Sequence, residues 1–350
     1  MRIAIVTDAW APQVNGVVRT LRATRAQLES MGHRVMVVSP DRFLSLPCPG
    51  YAEIRLALAG SRRVGRMIAD FAPEAVHIAT EGPLGWAARA WCLRQGLPFT
   101  TAYHTRFPEY VAARTPLRAE RVWPIIRRFH APAHAILAAT AGVEAVLADH
   151  GLTQARRWGR GVDLEQFDAI GPIDQAIRSL GGPGRPVLLY VGRVAVEKNV
   201  AAFLSSRHPG VRVVVGDGPA RAALERRFPD AHFLGARHGT ALAAAYRAAD
   251  VLVFPSLTDT FGLVMVEALA CGTPVAAFPV TGPVDVLVPG VGGMHDDLDR
   301  AIAMALPCDP AACAAYGQGF NWAASARQFL SALAPIPAER RSATMVPALA

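Results

Sequence analysis

The sequence predicts an α/β protein built from two doubly wound, parallel-sheet domains, and three observations carry that expectation. Short β-branched or apolar runs alternate with Ala- and Arg-rich helical stretches, the pattern of parallel strands joined by crossover helices. That alternation is interrupted once, by a Gly- and Pro-dense stretch, and then starts again. Finally, 350 residues that are 52% apolar exceed what one hydrophobic core ordinarily serves, so two cores are expected.

The first series of strands reads "RIAIVTD", "RVMVVSP", "AVHIAT", "PFTTAYH" and "AILAAT", with helical segments such as residues 19–31 and 83–95 between them. It defines an N-terminal domain over residues 1–168. The interruption, "DAIGPIDQAIRSLGGPGRP", has the composition of a linker, residues 169–186. A second series, "PVLLYVG", "VRVVVGDG", "AHFLG", "DVLVFPS" and "TPVAAFP", defines a C-terminal domain over residues 187–319. "FNWAASARQFLSAL" fits one amphipathic helix within residues 320–334. Residues 335–350 read as a frayed, disordered tail.

Several classes of protein are disfavoured at this level. Five scattered cysteines (Cys48, Cys92, Cys271, Cys308 and Cys313) form neither a C-x-x-C pair nor a disulfide framework, so the chain reads as cytosolic and no metal is expected. The N-terminus reaches Asp8 and Pro12 too soon for a signal peptide. The longest nearly uncharged window, residues 261–280, contains Glu267, Gly272, Pro274 and Pro279, which argues for a buried helix and strand rather than a membrane span.

Charge is unevenly distributed. Residues 1–168 hold 21 arginines against 14 acidic residues, or +7, whereas residues 169–350 hold 15 basic against 14 acidic, or +1. Two basic, apolar-laced stretches carry much of the excess: one with Arg55, Arg62, Arg63 and Arg66, the other with Arg114, Arg118, Arg121, Arg127 and Arg128. Each reads either as a solvated helix face or as a surface for anionic lipid or an acidic substrate. Net charge alone gives no support for nucleic-acid binding.

Ligands of open α/β sheets sit beyond the carboxyl ends of strands, which directs attention to the strand-to-helix turns. After the first strand, Gly16 falls at a helix start, where it is either a turn glycine or a place for close ligand approach. After the first strand of the second series comes "GRVAVEKN", with Arg193 and Lys198; Lys198 is the one lysine in a chain with 36 Lys and Arg together. A planar fork and a compact point charge at a strand end suit a diphosphate. "VVVGDGPAR" lacks the third glycine of a dinucleotide fingerprint, because Arg221 stands there. Asp297 and Asp299 read as a helix start rather than a metal pair.

The richest stretch is "DVLVFPSLTDTFGLVMVEALACGTPVAAFP". It reads as a buried strand, a polar turn with Asp259, Phe261 and Gly262, and a helix ended by Gly272. Backbone N–H groups of Phe261, Gly262 and Leu263 would face an anion at the helix N-terminus. Singly, Asp259 reads as an N-cap and Glu267 as a buried structural acid; a sugar and a ribose are the alternative partners.

Together "GRVAVEKN" and "DTFGLVMVEALACGTPV" resemble the retaining glycosyltransferases of family 4, and the likeness extends over nearly the whole chain. It implies the GT-B fold, two Rossmann-like domains facing across a cleft, with the C-terminal helix packing back on the N-terminal domain. It implies that Arg193 and Lys198 bind the diphosphate of a nucleotide sugar and Glu267 its ribose. It also implies that Asp259 meets the transferred sugar, that Phe261, Gly262 and Leu263 offer N–H groups, and that Gly16 and His104 lie near the diphosphate, acceptor and reacting sugar. Here Asp259 replaces the first Glu of the family's Glu-x7-Glu motif. That one-methylene change leaves the sugar open.

Within that family the sequence looks most like bacterial enzymes that glycosylate membrane lipids. The donor implied is a UDP- or GDP-sugar with no cofactor, and the acceptor a lipid such as diacylglycerol at an anionic membrane surface. Arg62, Arg63, Arg66, Arg127 and Arg128 are the candidate membrane residues, and the location implied is cytoplasmic, peripheral on the inner face of the plasma membrane. A GDP-mannose-dependent mannosyltransferase and a nucleotide-sugar epimerase are the alternatives.

Overall fold

A computed structural model describes residues 1–13, 15–48, 51–112 and 115–340. The chain divides into two compact units, Met1–Gly159 with Trp322–Ala350, and Arg160–Asn321.

The first unit contains β1 (Arg2–Val6), β2 (Arg34–Val38), β3 (Ser45–Cys48), β4 (Tyr51–Ala57), β5 (Ala75–Ile78), β6 (Thr100–Tyr103), β7 (Ile136–Ala138) and β8 (Ala155–Arg157). Six of them form a parallel sheet in the order β2-β1-β5-β6-β7-β8, while β3 and β4 pair as a separate antiparallel hairpin. Strand β1 shows why such strands read as unbroken apolar runs. Ile3 and Ile5 pack on one face with Leu21 and Leu28 of the helix Gly16–Ser30 and Phe329 of the helix Trp322–Ala332. Ala4 and Val6 pack on the other with Val64 and Ile68 of Ser61–Phe71 and Leu84 and Trp91 of Pro83–Arg94. Both faces are covered, so alternation disappears.

The second unit repeats the plan with β9 (Val187–Val191), β10 (Val211–Val215), β11 (His232–Phe233), β12 (Val251–Phe254), β13 (Val275–Ala277) and β14 (Gly292–Met294), ordered β11-β10-β9-β12-β13-β14. This is the doubly wound order 3-2-1-4-5-6, and the strand sequence reverses between β9 and β12.

The chain crosses between units at Gly159, rather than near residue 168. Trp158 is fully buried in the first unit's core, whereas Phe167 is buried with its ring edge on Tyr246 in the second. The stretch expected to be a linker is held on the second unit: Arg247 donates to the carbonyls of Asp168 and Pro172, the Asp174 N–H donates to Ala244, and Ile177 is buried. The last helix does pack on the first unit, against Gly16–Ser30. The chain does not fray at residue 335, since Ile336 is buried and its N–H donates to the Glu74 carbonyl at 2.8 Å. Residues 341–350 lie outside the described residues. Among the described residues no helix is long and apolar enough to cross a membrane.

One core group has a pH-dependent consequence. His77 on β5 is fully buried, shares a 2.9 Å hydrogen bond with Thr100 Oγ1 and meets the rings of Trp158 and Phe329 edge-on. Burial pushes its imidazole from 6.5 down to about 3. The unfolded chain therefore takes up a proton below pH 6.5 that the folded chain refuses. This residue's stabilisation is complete above pH 6.5 and is lost as pH falls toward 3, by about 1.4 kcal/mol per pH unit. Asp8 has the opposite sign, because its burial raises the carboxyl and so favours the fold at lower pH. Between pH 6.5 and 5, urea unfolding should show the native protein losing about 2 kcal/mol more than His77→Gln; equal changes in both proteins would contradict the assignment.

Candidate active site

In the second unit the loops after β9, β10, β12 and β13 converge at the carboxyl edge of the sheet. The backbone there is unusually close. Gly216, at φ 149°, leaves no room for a side chain, since a Cβ would sit 1.8 Å from the Gly192 carbonyl oxygen, and one on Gly218 would lie 2.4 Å from that of Val194. The two glycines of "VVVGDG" thus bring the β9 and β10 loops into contact, which is a packing role and not an incomplete dinucleotide fingerprint. Val194 N–H donates to Asp217 O and Ala220 N–H to Val194 O, which fixes the β9 loop from below.

Across the reversal point the β9 loop meets the β12 loop. Lys198 Nζ donates to Asp259 Oδ1 at 2.5 Å, with both side chains about one-fifth exposed. Asn199, in the left-handed region at φ 52°, donates from Nδ2 to the Pro255 carbonyl at 3.2 Å, and Thr258 Oγ1 donates to Glu197 O at 3.4 Å. Strand order explains this pairing of residues 61 positions apart: β9 and β12 are neighbours, so their following loops must face one another. Arg193 lies on the same β9 loop, where its carbonyl accepts the Tyr190 hydroxyl at 2.7 Å.

Asp259 is therefore not an N-cap. The helix Leu263–Ala270 begins on Gly262, which is left-handed at φ 86° and supplies no side-chain cap. A Cβ at Gly262 would lie 2.8 Å from the Phe254 ring and one at Gly282 would lie 3.0 Å from the Asp259 carbonyl, so the β12 and β13 loops are also in contact. Phe261 is buried beside this turn, with its ring edge toward Phe320. Glu267, two turns along, is 2% exposed and accepts the Tyr246 hydroxyl at 2.9 Å on Oε2. Six of the expected residues, Lys198, Asp259, Phe261, Gly262, Leu263 and Glu267, thus share one loop cluster and the helix behind it, with Arg193 on the loop that carries Lys198.

The first unit's own reversal point lies between β1 and β5 and is filled from within. Asp8 accepts hydrogen bonds from Leu84 N–H at 2.9 Å, Gly85 N–H at 3.3 Å and Thr80 Oγ1 at 2.9 Å, which caps the helix Pro83–Arg94 with a protein carboxylate. Gly16 opens the helix Gly16–Ser30, whose cap is Asn15, its Oδ1 accepting the Val18 N–H. His104 follows β6, nearly buried, with its ring edge-on to Trp158 and the two ring centroids 5.4 Å apart. Gly16, at the start of the helix after β1, and His104, in the loop after β6, both lie at the carboxyl ends of that unit's strands.

Comparison with known proteins supplies the decisive observation. The glycosyltransferase family 4 profile matches residues 14–166, and the profile for glycosyl transferases group 1 matches residues 185–313. A GDP-mannose-dependent alpha-mannosyltransferase of Mycobacterium tuberculosis is 34% identical over 84% of this chain and 83% of that protein. This chain belongs to the family 4 glycosyltransferases. An alpha-monoglucosyldiacylglycerol synthase of Streptococcus pneumoniae is 26% identical over 79% of this chain and 71% of that one. Among solved structures, a sucrose-phosphate synthase of Thermosynechococcus elongatus superposes with a TM-score of 0.73 at 25% identity, covering 94% of this chain and 97% of that one. The protein is a GT-B glycosyltransferase that uses a nucleotide sugar.

For this glycosyltransferase the structure adds residues that sequence reasoning passed over. Tyr246 holds Glu267, and nothing in "ALAAAYRAAD" marks it out, because the pairing arises from packing of the helix Gly239–Ala248 on Leu263–Ala270. Gly192 and Gly282 shape the loops, and "TGPVD" with its glycine before proline was a legible turn signal for the second. The arginine-rich helices also differ from expectation in one respect. Arg62, Arg63, Arg66, Arg127 and Arg128 are exposed, but the apolar residues interleaved with them, Val64, Ile68, Trp123, Ile126 and Phe129, are buried in the first unit's core. Ile125 alone of the apolar residues in Trp123–His130 is largely exposed. Arg114 lies outside the described residues.

Proposed function

We propose that this glycosyltransferase moves mannose, with retention of configuration, from GDP-mannose to a lipid acceptor at an anionic membrane surface. The observation that carries the reading is the Lys198–Asp259 pair at the reversal point, with Glu267 behind it; the mycobacterial relative supports the donor, and the pneumococcal relative the lipid. The latter also favours a second reading, transfer of a hexose from a UDP-sugar to diacylglycerol.

The chemistry asks for stabilisation of a leaving diphosphate as the sugar gains oxocarbenium character. Arg193 and Lys198 neutralise the developing charge, and the uncapped start of the helix Leu263–Ala270 offers backbone N–H groups of Phe261, Gly262 and Leu263 to it. An ammonium has three N–H donors, so Lys198 can bind a phosphate oxygen while still donating to Asp259. Asp259, held in place by that bond, accepts from hydroxyls of the transferred sugar. Glu267 accepts from the ribose hydroxyls. Each preorganised donor of this kind contributes about 2.7–4 kcal/mol to lowering the barrier. The departing phosphate then assists deprotonation of the acceptor hydroxyl on the same face, with Gly16 and His104 assigned to the acceptor and the reacting sugar.

The test is a donor screen, GDP-mannose against UDP-glucose with a lipid extract or diacylglycerol, reading nucleoside diphosphate release and the anomeric configuration of the product. Acceptor-dependent GDP release with an α-mannoside product is expected. UDP release selects the second reading, sugar interconversion without release means an epimerase, and a β-linked product excludes retention.

A further inference from the structure

The antiparallel hairpin β3–β4 carries an apolar face that the core does not use. Strand pairing sets Leu46 opposite Leu56, and the Leu58 N–H donates to Leu44 O at 2.7 Å, which sets Leu44 beside Leu58. Side chains alternate along strands, so Leu44, Leu46, Leu56 and Leu58 share one face. Three of the four are strongly exposed, Leu44 at 79%, Leu46 at 56% and Leu58 at 58%. The opposite face, with Ser45 and Ala57, turns inward, and Ala57 is buried. Four leucines on one side of a two-stranded ribbon form a contiguous apolar surface of the kind that marks an interaction site.

Its rim is basic. Arg42 lies at the base of the hairpin, and the helix Ser61–Phe71 begins just beyond Leu58 with Arg62, Arg63 and Arg66 exposed. Arg63 joins the two elements, with its guanidinium 5.0 Å above the Phe43 ring and Nη2 donating to Arg42 O. The acids on or beside these elements are Glu53 on β4, Asp41, which accepts the Ser39 hydroxyl, and Asp70 at the far end of the helix, against Arg42, Arg55, Arg62, Arg63 and Arg66. A second copy of this chain, meeting the patch by a two-fold axis, would oppose arginine with arginine. An anionic bilayer matches both parts, since leucines enter the acyl boundary while arginine stems lie along it and their guanidinium groups meet lipid phosphates.

We infer that the β3–β4 hairpin is a membrane-inserting element, its leucine face entering the interface of an anionic bilayer while Arg42, Arg62, Arg63 and Arg66 bind the headgroups. This rests on the lipid-acceptor reading and adds to it, because the apolar part of the contact comes from the hairpin and not from the arginine-rich helices, whose apolar residues other than Ile125 are largely in the core.

The full chain is mixed with vesicles of phosphatidylglycerol and phosphatidylcholine, or of phosphatidylcholine alone, and the bound fraction is read by sedimentation. Binding is expected only with the anionic lipid. Each arginine replaced by alanine should weaken it about fivefold, and Leu44→Asn with Leu46→Asn about tenfold or more, with turnover on a detergent-dispersed acceptor unchanged. A Leu46→Trp reporter, measured against the native six tryptophans, should be quenched by brominated acyl chains; this guards against misfolding of the asparagine variant. Absence of quenching, or binding indifferent to the leucines, overturns the inference, as does a dimer in solution that the asparagine variant dissociates. Vesicle binding through the hairpin without glycosyl transfer to lipid would leave this inference standing and remove the proposed acceptor; transfer to dispersed lipid without vesicle binding would do the reverse.

Discussion

Lys198→Ala is expected to lower kcat about 10²–10³-fold, the usual cost of removing one preorganised donor from a developing oxyanion, with the melting temperature little changed. Lys198→Arg should be nearly as impaired. The reason lies in the 2.5 Å contact with Asp259. An ammonium is a compact charge whose donors point in several directions, so it can serve the carboxylate and a phosphate together. A guanidinium at that position would engage Asp259 as a planar fork, with two parallel hydrogen bonds directed at the carboxylate and away from the donor. In a chain whose 35 other basic residues are arginine, that difference gives a physical reason for the lone lysine. Steady-state rates at saturating donor, with thermal melts of all three proteins, check the claim, and a wild-type kcat for the arginine variant would refute it.

How far such a site can be read from sequence depends on whether its partners are local or set by packing. Strands β1, β5, β9 and β12 were legible because burial on both faces writes a parallel strand as an unbroken apolar run. Strand β8 was not, since Ala155–Arg157 reads "ARR" with two exposed arginines at the sheet edge, and β14 reads "GGM". The β3–β4 hairpin escaped for a related reason: its apolar face is outward and Pro47 interrupts its first strand. The boundary at Gly159 depends on Trp158 and Phe167 being buried in different cores, which composition cannot reveal. Within the site, Lys198, Asp259 and Glu267 each stood out by residue type and local spacing. Their pairing did not, because Lys198–Asp259 follows from strand order and Glu267–Tyr246 from helix packing.

That second pairing sets the other large expected effect. Glu267→Gln should raise the dissociation constant of the nucleoside diphosphate about 10–100-fold while kcat at saturation stays close to normal. Hydrogen bonds to a charged acceptor are worth about 1.5–3 kcal/mol, and the amide oxygen that remains can still accept the Tyr246 hydroxyl, so the fold survives the change. A purely structural Glu267 would behave differently, since the amide in its place still accepts from Tyr246 and nucleotide affinity would be unchanged. Calorimetric titration of both proteins with the nucleoside diphosphate and with its 2′,3′-dideoxy analogue separates the cases. If Glu267 binds the ribose, the analogue is already weak on the wild-type protein and Glu267→Gln weakens it no further, because the hydroxyls that the carboxylate would accept from are gone. An equal loss for both ligands would place the effect in the protein's packing, and the ribose assignment would fall.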